Sequence, residues 1–312
     1  MLASLPAFIR IPLVILLIVL STILHTTPLL VVALVKWLLP FAAFQKACAA
    51  VLVRIAEAWI AVNSGLIALF TRTRFEVEGL AGLRSDGHYL VLANHQSWVD
   101  IIVLQRVLNR RIPFLRFFLK SQLIWVPLLG PAWWALDFPF MKRYSRKHLS
   151  KRPDLAGKDI IATRRACEKF KGMPVSIMNF VEGTRFTVEK RARQGSPYAS
   201  LLRPKAGGVA FALDAMGSAL HSVVDVTIAY PAGKPTMMDL IAGHIPRVRV
   251  NIREREIPPA LRQSDYENDA ASRVRFQRWV NSIWADKDQL LAVLASNGTQ
   301  AGDEPPRPAV AG

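Results

Sequence analysis

The stretch Tyr89-Leu90-Val91-Leu92-Ala93-Asn94-His95-Gln96-Ser97-Trp98-Val99-Asp100 decides the fold class. Tyr89 to Ala93 is a short unbroken apolar run bounded by polar residues, the pattern of a buried strand. Ile101 to Leu104 then continue as the apolar pattern of a helix. A histidine and an aspartate therefore fall where a strand gives way to a helix, a common place for a site in α/β folds. Five residues turn about 500° on an ideal helix, so His95 and Asp100 cannot share a helical face. His95 is expected ahead of the helix, with Asp100 reaching back from its first turn. The carboxylate then accepts a hydrogen bond from one imidazole nitrogen, and the other nitrogen is free to take a proton from a substrate.

A second apolar run, Val175-Ser176-Ile177-Met178-Asn179, predicts another strand and leads into Phe180-Val181-Glu182-Gly183-Thr184-Arg185-Phe186. Gly183 permits a tight turn and close approach of a ligand to the backbone. Arg185 offers a planar donor fork suited to a phosphate or carboxylate. Each stretch alone has an ordinary reading: a chance His/Asp spacing, and a surface turn with a Glu182–Arg185 ion pair.

Together, in this order, His95-x4-Asp100 and Glu182-Gly183-Thr184-Arg185 resemble the lysophospholipid acyltransferases of the glycerol-phosphate acyltransferase superfamily, in a bacterial subgroup. Lys120, Leu123, Pro127 and Gly130, leading to Phe140-Met141-Lys142-Arg143, resemble a further block of that family, and Val226 to Pro231 resembles its last. The likeness covers roughly residues 75 to 235. Gln122, Asp137 and Val181 stand where Glu, Gly and Pro are usual, departures that bear on substrate preference more than on reaction class. The resemblance implies an α/β fold with a mixed central sheet flanked by helices. It implies His95 and Asp100 as catalytic residues. It implies Glu182, Gly183, Thr184, Arg185, Lys205 and Arg143 as the site for a substrate phosphate. It further implies transfer of an acyl group from acyl-coenzyme A or acyl carrier protein to 1-acyl-glycerol-3-phosphate, giving phosphatidic acid. Another lysophospholipid or a lyso-amino-acid lipid is the alternative acceptor. No cofactor and no metal is implied beyond the thioester co-substrate.

Composition agrees with a lipid surface as partner. The 312 residues are 52% apolar yet carry a net charge of +17, a combination suited to contact with both hydrocarbon and anionic headgroups. The two cysteines, Cys48 and Cys167, provide neither a disulfide framework nor a metal cluster. The rival class is a non-catalytic, membrane-tethered binder of anionic lipid or nucleic acid, whose binding would be steeply salt-dependent and would not need His95. The ordered motifs favour the enzyme, with no nucleic-acid partner expected.

Residues 11 to 35 carry no Lys, Arg, Asp or Glu, longer than the ~20 needed to span a bilayer. Pro28 either kinks one spanning helix or turns the chain back as a shallow hairpin. Residues 47 to 70 predict an amphipathic helix at the interface or under the catalytic domain, with Arg54 and Glu57 paired on one face. Residues 1–72 thus form a membrane anchor, residues 73–296 the acyltransferase domain and residues 297–312 a disordered tail. The resemblance to a bacterial subgroup implies an inner-membrane protein, and the basic excess after the apolar segment predicts a catalytic domain on the cytoplasmic side.

Within the domain, residues 101–123 predict helices around a break at Pro113, with Arg110, Arg111, Arg116 and Lys120 facing either headgroups or solvent. Trp133 and Trp134 suit an interfacial belt or a groove for an acyl chain. A helix is expected over 159–170 and a flexible loop over 187–202. Pro204-Lys205-Ala206-Gly207-Gly208 opens a helix as either a phosphate site or a packed turn. Strands are expected at 223–229 and 248–252, and a helix at 267–295 with Phe276, Val280, Ile283 and Trp284 on one stripe.

Overall fold

The computed structural model describes residues 2–141, 170, 173–217, 220–262, 266 and 268–296. Arg143, the helix expected over 159–169 and the tail lie outside the described residues. Two long helices open the chain: α1 (Ala7–Leu38) and α2 (Ala42–Phe70). Then come β1 (Arg74–Glu78), β2 (His88–Ala93), α3 (Val99–Leu108), β3 (Leu115–Phe117) and β4 (Leu119–Lys120). They are followed by α4 (Leu129–Ala135), β5 (Phe140–Met141), β6 (Val175–Asn179), α5 (Val188–Gln194) and α6 (Gly207–Met216). The chain continues through β7 (Ser222–Ala229), α7 (Met237–Ile241), β8 (Arg247–Arg255), α8 (Pro259–Arg262) and α9 (Ala270–Ser296).

Six strands form one sheet in the order β1-β8-β7-β2-β6-β3. Its pairings are parallel except β7 against β8, so the sheet is mixed, as expected. β7 is buried along its whole length and β2 along nearly all of it, which is why both read as continuous apolar runs. On one face, Val91, Val224 and Val226 pack with α3, α4 and the inner side of the α1–α2 pair. On the other, Leu90, Ile177 and Val223 pack with α6 and with the Phe276, Val280, Ile283 and Trp284 stripe of α9.

The N-terminal helices settle what Pro28 does. α1 runs unbroken through Pro12 and Pro28, and the chain turns back at Leu39-Pro40-Phe41. Just before Pro28 the hydroxyls of Thr22, Thr26 and Thr27 donate to carbonyls one turn back, at 2.7–2.8 Å, so these three hydroxyls are satisfied inside the helix. Trp59 Nε1 donates to Thr22 Oγ1 across the pair. In α2, Cys48, Leu52, Ala56 and Ile60 recur every four residues and are buried. Glu57 pairs with Arg110 of the domain at 3.7 Å, so this helix packs under the catalytic domain. Both helices are long and apolar enough to cross a membrane, with mean hydropathy 2.6 and 1.5, and are candidate membrane segments. Arg10 donates to Ala242 O near one end of α1, and Lys36 pairs with Asp137 near the other, at 3.6 Å.

Two expectations fail. Residues 114–120 form strands, not a helix: β3 pairs with β6 at the sheet edge. Arg116 consequently faces neither headgroups nor solvent. It is buried, donates from Nε to Leu136 O and lies over the Phe114 and Phe170 rings. Burial lowers its pKa to about 10, opposed by the charge of Asp137. Residues 187–202 are not a loose loop either. Thr187 caps α5, Gly195 closes it in the left-handed conformation, and Asp288 of α9 accepts from the Ala199 and Ser200 amides.

Candidate active site

Parallel pairing in register brings the carboxyl ends of β2, β6 and β7 together: Leu92 lies opposite Asn179, and Ala93 opposite Val226. The residues that follow these three strands therefore meet at one edge of the sheet, where open α/β sheets hold their ligands. Asn94 ends β2 sharply. Its amide donates to Ile228 O and accepts from Ile228 N, both at 2.9 Å. The next residue, His95, leaves the sheet before α3 begins.

His95 and Asp100 meet as their spacing requires. Nδ1 of His95 lies 2.9 Å from Asp100 Oδ2, the carboxylate sitting in the first turn of α3. A carboxylate only accepts, so Nδ1 carries the proton and Nε2 presents a lone pair. Asp100 is fully buried, and its Oδ2 also accepts from the amides of Gln96 (2.6 Å) and Ser97 (2.8 Å). Tyr230, directly after β7, donates to Oδ1 at 2.6 Å. The imidazole stacks on Phe180, centroids 3.9 Å apart and planes 16° apart. Ser97, the serine inside this motif, donates to Pro235 O and is buried.

The turn after β6 wraps around this pair. Glu182 is fully buried and braces two chains: Oε1 accepts from the His95 amide (3.3 Å), Oε2 from the Leu202 amide (3.1 Å). Burial raises its pKa to about 8, opposed by these two amides and by Lys287 and reinforced by Asp100. A buried acid with both oxygens so engaged by backbone amides shapes the turn. Gly183 takes φ +70, a conformation open to glycine at no cost. A side chain there would also crowd Lys205 Nζ, 3.3 Å from the position of a Cβ. Thr184 Oγ1 and Arg185 O both accept from Lys190 of α5. The Arg185 guanidinium lies 4.9 Å over the exposed indole of Trp98. Lys234 donates to Phe186 O, and Phe186 N donates to His95 O at 2.7 Å. His95, Asp100 and Gly183, Thr184, Arg185 and Lys205 thus share one crest. Gly208 serves packing, since a Cβ there would lie 2.5 Å from Asn179 Nδ2.

Sequence reasoning missed Tyr230, Trp98, Phe180, Lys190 and Lys234 as parts of the site. Only Tyr230 carried a signal, as a polar-tipped residue at the end of a buried strand. Among the described residues, no group of three His, Cys, Asp or Glu side chains is placed to hold a metal.

A cavity of about 330 Å³ opens between the α1–α2 turn and the α4–β5 connection, lined by Trp37, Trp134, Phe138 and Phe140 with Lys36 and Asp137. It does not reach His95. A row of rings leads back from it: Phe138 to Phe117 (6.4 Å), Phe117 to Phe180 (6.3 Å) and Phe180 to the imidazole.

Comparison with known proteins agrees with this geometry. The family model Acyltransferase matches residues 74–231. Lysocardiolipin acyltransferase 1 of Danio rerio is 28% identical over 76% of this chain and 60% of its own length. Probable 1-acyl-sn-glycerol-3-phosphate acyltransferase 5 of Arabidopsis thaliana is 26% identical over 77% of this chain and 62% of its own length. The chain therefore spans about three fifths of the length of these relatives. The crystal structure of the 1-acyl-sn-glycerophosphate acyltransferase PlsC from Thermotoga maritima superimposes with a TM-score of 0.52 at 19% identity, over 90% of this chain and 98% of that one, and so shares its fold. With half its length matched by the family model and the ordered motifs seated on one sheet edge, the chain belongs to the acyltransferase family.

Proposed function

We propose that this protein transfers an acyl group from a thioester, acyl-coenzyme A or acyl carrier protein, to the sn-2 hydroxyl of 1-acyl-glycerol-3-phosphate, forming phosphatidic acid. The observation that carries the reading is the His95–Asp100 pair, its Nε2 unbonded among the described residues, with Arg185 on Trp98 of the same turn and Lys205 against Gly183. An alcohol is a weak nucleophile, and a positioned imidazole removes its proton as it attacks. The acceptor hydroxyl gives its proton to Nε2, and its oxygen bonds to the thioester carbonyl carbon. The tetrahedral oxyanion collapses, the carbon–sulfur bond breaks, and the leaving thiolate takes the proton from the imidazolium. Asp100 holds the tautomer and stabilises the imidazolium. Ser97 is committed to Pro235, which favours direct transfer over an acyl-enzyme. Arg185 and Lys205, with Arg143, hold the acceptor phosphate. The aromatic row and the cavity beyond it suit the acyl chain. The basic excess after the apolar segment supports a catalytic domain on the cytoplasmic side of the membrane.

A second acceptor is favoured by the relatives themselves, which include lysocardiolipin acyltransferases and a 2-acyl-1-lysophosphatidylinositol acyltransferase of Saccharomyces cerevisiae. Thiol release from acyl-coenzyme A by the detergent-solubilised chain, against a panel of lysolipids and beside His95→Ala, separates the two. Release with lysophosphatidic acid alone, lost in the variant, is the expected result. Release with another lysolipid moves the acceptor and keeps the chemistry. Silence with every acceptor, and with acyl carrier protein as donor, removes the enzymatic reading.

A further inference from the structure

Three strands meet at the site, and each contributes one side chain to a single buried cluster: His95 after β2, Glu182 after β6 and Tyr230 after β7. Tyr230 lies outside both motifs and 130 positions from Asp100, yet its hydroxyl donates to Asp100 Oδ1 at 2.6 Å. The carboxylate then has four donors. Two are backbone amides fixed by the turn, one is the His95 ring, and Tyr230 is the fourth, alone on Oδ1 among the described residues. A hydrogen bond to one oxygen of a carboxylate draws charge away from the other. What Tyr230 draws is no longer available to stabilise an imidazolium on Oδ2.

We propose that Tyr230 is a positioning residue that fixes the rotation of Asp100 and, by sharing its charge, keeps the His95–Asp100 pair less basic than a bare pair would be. The hydroxyl is suited to this because it keeps its proton: burial, and then the charge of Asp100, push its ionisation well above the ordinary tyrosine value. The other charged groups around the pair come from neighbouring elements. Glu182 braces the His95 amide with Lys287 of α9 behind it, Arg185 lies on Trp98, and Lys205, Lys190 and Lys234 hold the turn after β6. Glu182 titrates at about 8, inside the working range, so its contribution must be removed to read that of Tyr230.

The proposal rests on His95 acting as the base, and its test has an arm that needs no turnover. Diethyl pyrocarbonate modifies neutral imidazole, so the pH dependence of His95 modification, followed by mass spectrometry, reports the pair directly. The acid limb of kcat/KM reports it again through acyl transfer. Tyr230→Phe is expected to move both midpoints to higher pH by roughly half a unit to one unit, the scale of a hydrogen bond to a charged group divided between two partners. 3-Fluorotyrosine at position 230 keeps the shape and strengthens the donor. It is expected to move both midpoints the opposite way, and it serves as the measurement if the phenylalanine variant fails to fold. The same displacements are expected in a Glu182→Gln background. Midpoints unmoved by both replacements overturn the role of Tyr230. Midpoints that move in the modification arm while no acyl transfer is seen uphold it and count against the proposed reaction instead.

Discussion

The two turns that build the site are made on opposite plans. The turn between β2 and α3 is over-determined: Asp100 is held by four donors, Asn94 and Ser97 are locked to β7 and Pro235, and the imidazole is pressed on Phe180. The turn after β6 is anchored by Val181 and Glu182, both buried, and beyond them presents cations on a partly exposed surface. Arg185 rests on the face of Trp98 without a carboxylate partner among the described residues, and Lys205 lies against Gly183. The group that moves a proton needs fixed geometry, because small misplacements are costly in rate. The groups that grip a phosphate gain from adjusting to it. The first turn should therefore govern kcat and the second KM.

His95→Ala breaks the comparison at its strongest point. Loss of the base should lower kcat by at least ~10³-fold, near the upper range for a general base, with binding to lipid vesicles retained in a flotation assay. Wild-type turnover in this variant would end the mechanism. Asp100→Asn should cost less, on the order of 10²-fold in kcat, because a neutral amide no longer stabilises the imidazolium while the ring stays in place. Arg185→Lys should leave kcat nearly unchanged and raise the acceptor KM by about tenfold, since one ammonium replaces a fork. A fall in kcat with KM constant would instead place Arg185 with the first turn.

The smallest effect concerns stability. Glu182 has a folded-state pKa of about 8, above its unfolded value, so the folded chain holds a proton that the unfolded chain has released at intermediate pH. Its contribution is fully present below about pH 4.5 and declines as pH rises through about 8. Glu182→Gln should flatten that part of the pH dependence of stability, read from denaturant unfolding, removing a slope of at most roughly 1.4 kcal/mol per pH unit. An identical slope in both proteins would show that Glu182 titrates normally.

The first turn was legible in the sequence because its partners are close along the chain. His95, Asp100 and the amides of Gln96 and Ser97 lie within six residues, and the apolar runs on either side fix strand and helix. Tyr230 was legible only as the polar end of a buried strand, because only the pairing of β2 with β7 brings it to Asp100. Arg116 misled for a related reason. In Phe114-Leu115-Arg116-Phe117 the single charge suits an amphipathic helix, whereas edge pairing with β6 buries it between aromatic rings. Pro28 left one continuous helix and a hairpin equally open, and α1 runs through it. The chain turns instead at Leu39-Pro40-Phe41.

The α1–α2 pair shares one apolar interior with the sheet: Leu29, Leu52, Ala56, Ile60 and Ile67 lie in the same cluster as Val91, Val103 and Val226. Cooperativity follows from that sharing. A segment that completes a domain's core melts with it, whereas a leash melts alone. Heating should therefore release the hairpin and the site in one transition, and a chain shortened to begin at β1 would expose the underside of its own catalytic helix.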